Sequence, residues 1–98
     1  MQYSDYVTRD LRLVLLKALA KQPKYTASEV ILQKEAEAFG HSRSRDAIRN
    51  ELRYLAEVGA IRVADETGYM IATLTRRGQD HAEGLAEIEG VNKPSPKE

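Results

Sequence analysis

The 98-residue chain contains no cysteine. That excludes disulfide staples, thiolate metal sites and thiol nucleophiles, and it suits a reducing compartment. No apolar run exceeds four residues, as in Leu13–Leu16, far short of the roughly 20 needed to cross a bilayer as a helix. Asp5 and Asp10 stand where a signal peptide needs a basic start and an uninterrupted apolar stretch. The expectation is a cytoplasmic protein with no membrane partner. There is no internal repeat, and no low-complexity segment beyond the last residues.

Net charge is also lacking, because 15 Lys and Arg meet 15 Asp and Glu. The chain as a whole is therefore not a polycation that coats nucleic acid. The charges are unevenly distributed, with ten basic residues against seven acids up to Arg53 and five against eight beyond it. Such a dipolar chain can still offer one basic surface to phosphates. With 42% apolar and 31% charged residues, the composition is that of an ordinary globular domain. One modest core is all that this length can bury, which makes a second copy a natural source of further stability.

Motifs for chemistry are missing as well. His41 sits in a turn, as a surface residue or a phosphate contact, and His81 falls in an amphipathic helix or a dimer seam. Neither has a second ligand at metal-binding spacing. Gly78 and Gly84 do not make a phosphate loop, and no nucleophile motif occurs. The expectation is a protein that is not an enzyme, with no metal and no cofactor.

What the chain does contain is a clear order of periodicities. Ser4 or Asp5 is placed to cap a helix running to about Lys21, with Val7, Leu11, Val14, Leu15, Ala18 and Leu19 at helical spacing. Leu13 and Leu16 widen that stripe, which suits either a central core helix or a dimer contact. Pro23 ends the helix. Tyr25-Thr26 is a short extended piece, and Thr26 or Ser28 caps a second helix through Phe39, with Val30, Ile31, Ala36 and Phe39 inward. Gly40 stops it. Ser42 is read as the cap of a third helix reaching Val58, whose core face is Ala47, Ile48, Leu52, Leu55 and Ala56. After Gly59 the period changes to two: Ile61–Ala64 and Tyr69–Leu74 flank a turn at Asp65-Glu66-Thr67-Gly68. Thr75 caps a last helix to about Ile88. Residues 1–89 make the domain, and 90–98, with Pro94 and Pro96, read as a disordered tail.

The order is helix-strand-helix-helix-strand-strand-helix, an α+β and mainly α architecture. Four segments resemble a bacterial winged helix-turn-helix regulator: Tyr25-Thr26-Ala27-Ser28-Glu29-Val30, Phe39-Gly40-His41-Ser42-Arg43-Ser44, the stretch Leu52 to Ile61, and Leu74-Thr75-Arg76-Arg77-Gly78. The chain is also similar to small winged-helix proteins of Mu-like phages and prophages, some described as regulators resembling the ArsR group. That resemblance implies transcription control. Metal sensing by cysteine is not implied, because the ligands are absent.

The resemblance also implies that the third helix enters the major groove of double-stranded DNA. Its polar side offers Arg43, Ser44, Arg45, Arg49, Asn50 and Arg53 as contacts. Guanidinium can grip phosphate or bridge guanine O6 and N7, and Asn50 can pair with adenine. Arg45, Arg49 and Arg53 form a row with steps of four; the alternative is a solvated face, with Arg49 or Arg53 paired to Glu57 or Asp46. Lys24, Arg76 and Arg77 are further candidate cations, although Arg76-Arg77 opposes the helix macrodipole. The acidic turn Asp65-Glu66 is repelled by phosphate, and only Arg62 lies near to compensate. Two readings therefore stand: a DNA-binding homodimer joined through helices 1 and 4, with third helices about 34–36 Å apart, or a protein-interaction module on the same fold.

Overall fold

The computed structural model describes residues 2–95. Helix α1 (Tyr3–Ala20) is the central element, packing against α2, α4 and β3. Leu11, Leu15, Leu16 and Leu19 are buried together on it. This is the core-helix alternative of the two open for that broad stripe. Its N-cap is Gln2, which makes no side-chain cap, so Ser4 and Asp5 lie inside the first turn and not before it. A 3-10 turn, Pro23–Tyr25, leads into β1 (Thr26–Ser28).

Helix α2 (Glu29–Ala38) starts at Ser28, whose hydroxyl accepts from the Ile31 amide. Its inner stripe is Glu29, Leu32 and Ala36. Ile31 and Phe39 are instead exposed, Phe39 by 60%. The inward face is displaced from the expected one because a carboxylate occupies its first position. At the other end Gly40 takes φ +92°, and the His41 amide reaches back to the Ala36 carbonyl at 2.9 Å, closing the helix as a left-handed glycine cap does.

Helix α3 spans Arg45–Glu57 and is capped by Ser44, which accepts from the Ala47 amide at 3.0 Å. The expected cap at Ser42 lies two residues too early. The chain stays extended there because the His41 ring turns inward onto Asp10, at 2.8 Å, and the Gln33 amide holds the Arg43 carbonyl at 2.9 Å. Ile48, Leu52 and Leu55 are fully buried.

Strands β2 (Ile61–Glu66) and β3 (Tyr69–Leu74) form the wing, and β1 joins the other edge of β3 to give an antiparallel sheet in the order β1-β3-β2. The turn is only Thr67-Gly68, both at positive φ, as a two-residue hairpin with the twist of its strands requires.

Helix α4 covers only Arg76–Ala82 and does not reach Ile88. Gly84 adopts φ +82° and the Leu85 amide closes onto the Asp80 carbonyl at 2.8 Å, so the chain reverses. His81, fully buried, anchors the returning segment: its Nδ1 accepts from the Ile88 amide at 2.9 Å, and its Nε2 donates to the Asn92 carbonyl at 2.8 Å. The Asn92 amide in turn donates to the Arg9 carbonyl at 3.2 Å. Ile88 and Val91 are buried in the protomer's own core. Within the expected disordered tail, His81 and Arg9 bond the Asn92 backbone that a loose tail would leave to water. Residues 96–98 of that tail lie outside the described residues.

With α2 and α3 crossing ahead of a three-stranded sheet whose hairpin projects beside α3, the fold is a winged helix.

Candidate nucleic-acid interface

The six predicted contact residues lie on α3 and the loop before it, in three different situations. Arg43 and Ser44 belong to the loop before α3. The Arg43 carbonyl is taken by Gln33, while the Ser44 hydroxyl is committed to the helix cap. Arg45 and Arg49 lie on the wing side of α3. Arg53 and Asn50 point outward and bond to each other, the guanidinium donating to the Asn50 side-chain oxygen at 2.9 Å.

The arginine row therefore does not act as a row. Steps of four residues drift around a helix of 3.6 residues per turn, so Arg53 faces solvent while Arg45 and Arg49 meet Glu29 of α2. Arg45 Nε lies 2.5 Å from Glu29 Oε1, and Arg49 donates to Glu29 Oε2 at 2.5 Å. The Met70 amide of β3 donates to the same Oε2, also at 2.5 Å. Glu29 is fully buried. Burial would push its carboxyl pKa up, but the Arg45 hydrogen bond, the Met70 amide and the two guanidinium charges outweigh that and hold it below the ordinary value. Arg45 is raised in turn, chiefly by its bond to Glu29.

The same two arginines hold the wing. Arg45 donates to the Gly68 carbonyl at 3.1 Å and stacks over the Tyr69 ring, 4.5 Å from its centroid. Arg49 also approaches Asp65 at 3.6 Å. Of the acidic turn, Asp65 thus faces an arginine of the same chain. Arg62 is exposed on β2.

Beyond Arg45, the exposed residues of α3 are Asp46, Asn50, Arg53 and Glu57. The opposite flank is used internally, where Arg12 pairs with Glu51 at 2.7 Å and lies over the Tyr54 ring, whose hydroxyl donates to the Glu89 carbonyl. His41 is buried and bonded to Asp10, not at the surface expected for it, whereas His81 takes the helix alternative, buried on the inner side of α4. Arg77 finds the compensation that its place in α4 demands: its Nε donates to the Val58 carbonyl at 2.9 Å, at the negative end of α3. Lys24 is exposed, at φ +56°.

Sequence reasoning missed Glu29, Gln33 and Tyr69. Glu29 was hidden because an acid in the first turn of a helix is ordinarily solvated and favourable to the macrodipole. The available signal was the matching pair of arginines one turn apart on α3.

No family model matches the chain. It is 43% identical over 94 residues to the uncharacterized protein gp26 of Escherichia phage Mu, covering 96% of this chain and 97% of that one. The chain belongs to the family of phage Mu gp26. A Haemophilus influenzae protein is 36% identical over 78 residues, or 79% of this chain and 76% of that one. Among solved structures, Bordetella bronchiseptica BpsR, studied for regulation of its DNA binding by 6-hydroxynicotinic acid, superposes with a TM-score of 0.64 at 21% identity. The match covers 83% of this chain and 55% of BpsR. At that identity the likeness concerns the fold.

Proposed function

We propose that this member of the gp26 family is a double-stranded DNA-binding protein, a regulator that lays α3 in the major groove. The observation that carries the proposal is the outward Asn50–Arg53 pair on the exposed stripe of a winged-helix α3. An arginine whose fork is steadied by a neighbouring amide is suited to guanine O6 and N7. Arg43 and Ser44, in the loop before the helix, suit backbone phosphates, as do the remaining donors of Arg45 and Arg49. The fold is shared with BpsR, a protein whose DNA binding is regulated, and the ArsR-like resemblance supports the same use of the third helix. Binding of this kind needs no catalytic group, and it belongs in the cytoplasm.

The proposal includes a homodimer. Tyr3, Tyr6 and Phe39 are exposed by 82%, 54% and 60%, more aromatic surface than a monomer needs. The outer stripe of α1 complements itself when two copies run antiparallel: Asp10 then meets Lys17, and Tyr6 meets Lys21. The part assigned to helix 4 narrows to Leu85, 74% exposed just beyond α4, because Ile88 and His81 serve the protomer's own core.

The test is salt-dependent binding to mixed-sequence duplex by fluorescence anisotropy. Wild type is expected to bind at about 50 mM salt and to weaken steeply by about 200 mM. Arg53→Ala and Asn50→Ala are expected to lose affinity with unaltered thermal stability. No binding at about 50 mM salt sinks the DNA reading. The rival, a protein-interaction module, is favoured by Asp46 and Glu57 within the stripe and by Glu66 on the wing; it predicts that outcome.

A further inference from the structure

We propose that Arg49 is a phosphodiester-receiving position which the protein's own wing keeps occupied, with the Asp65 carboxylate standing in for the phosphate until DNA displaces it. The inference rests on the DNA reading and adds its regulation.

Four residues form a closed ring. Glu29 grips Arg49 and the Met70 amide through one oxygen. Met70 is the register partner of Asp65 across the β2–β3 ladder. Asp65 returns to Arg49 at 3.6 Å. The ladder therefore fixes where the Asp65 carboxylate lies, and Glu29 fixes where the guanidinium lies.

The two carboxylates on Arg49 are not equivalent. Glu29 is fully buried and sits at 2.5 Å; Asp65 is 61% exposed and sits beyond direct hydrogen-bond length. One contact is structural, and the other is a solvated pair of the kind that contributes little and exchanges readily. Charge points the same way. Glu29 carries one negative charge against the two guanidinium groups of Arg45 and Arg49, which leaves one positive charge over. The other direct partners of Arg45, the Gly68 carbonyl and the Tyr69 ring, are neutral and do not cancel it. Asp46 acts on Arg45 without an ion-pair contact, and Asp65 makes the direct approach to Arg49. An oxyanion reaching this end of α3 has one guanidinium to claim, and must take it from Asp65. The acidic wing then lowers affinity without abolishing it, because displacement frees Asp65 into water.

The test compares Asp65→Asn with Glu66→Gln, the adjacent wing acid, which has no ion pair among the described residues. Each is titrated against a mixed-sequence duplex across salt concentrations. Asp65→Asn is expected to bind about three- to tenfold tighter than wild type, with a log–log salt slope steeper by about 0.9, because Arg49 then meets phosphate with no carboxylate to release. Glu66→Gln is expected to gain less and to keep the wild-type slope. In an Arg49→Gln background, with folding checked by circular dichroism, the gain from Asp65→Asn is expected to vanish. Wild-type binding that Asp65→Asn leaves unchanged, or that Glu66→Gln improves equally, overturns the exchange and leaves the DNA reading standing. Binding by neither wild type nor Asp65→Asn at about 50 mM salt overturns both.

Discussion

Glu29 is the residue on which the most depends, since it joins α2, α3 and the wing through one carboxylate. Glu29→Gln keeps the shape but leaves two guanidinium groups without their charge partner. It is expected to cost about 2–4 kcal/mol in urea unfolding, toward the lower end because Arg45 is 44% exposed. The pH dependence has a definite sign. The folded pKa lies below the ordinary 4.5, so the folded state binds fewer protons, and the contribution is complete above that value. It is lost as pH falls through the lower folded value. Acid unfolding followed by circular dichroism is expected to begin at higher pH in Glu29→Gln than in wild type. A second residue-scale case is Gly78: a Cβ there would strike the Ala60 carbonyl and the Leu74 side chain. Gly78→Ala is expected to destabilise by about 1–3 kcal/mol despite its better helix propensity. An unchanged melting temperature would contradict that close approach.

At the scale of elements, the caps and stops were legible and the lengths less so. Ser28 and Thr75 cap as their positions suggest, and Gly40 and Gly59 end helices at positive φ. Ser42 lost to Ser44 because both are good caps and only burial of His41 decides between them. The last helix was overextended because Leu85, Ala86 and Ile88 continue a helical period, whereas Gly84 reverses the chain and Ile88 returns to His81. This makes the C-terminal segment structural. Deleting residues 90–98 is expected to lower the melting temperature by several degrees, since Val91 and the Asn92 bonds are lost. A truly loose tail would leave it unchanged.

At the scale of the whole molecule, the neutral total charge is partly an internal affair. Asp65, Glu29, Arg45 and Arg49 cancel one another within 3.6 Å, so the net charge understates the positive charge that α3 carries. Association is the other property at this scale. Sedimentation is expected to give twice the 11.0 kDa chain mass for wild type and a single mass for Lys17→Glu, which sets like charges against each other across antiparallel α1 helices. Lys17→Arg, which keeps the charge, is expected to keep the dimer. A wild type that sediments as a monomer contradicts this arrangement.

The absence of cysteine, of long apolar runs and of net charge, together with the order of periodicities, determined by itself the domain class and the winged-helix architecture. Those depend on local propensity and on which face is apolar, both written along the chain. The arginines of α3 were equally visible, but their use was not. Whether Arg49 faces solvent, Glu29 or Asp65 depends on partners 20 and 16 residues away in sequence, brought within reach by packing α2 and the wing against α3. Only the tertiary structure decided that, because an ion pair is a matter of distance and burial, and neither is a property of sequence spacing.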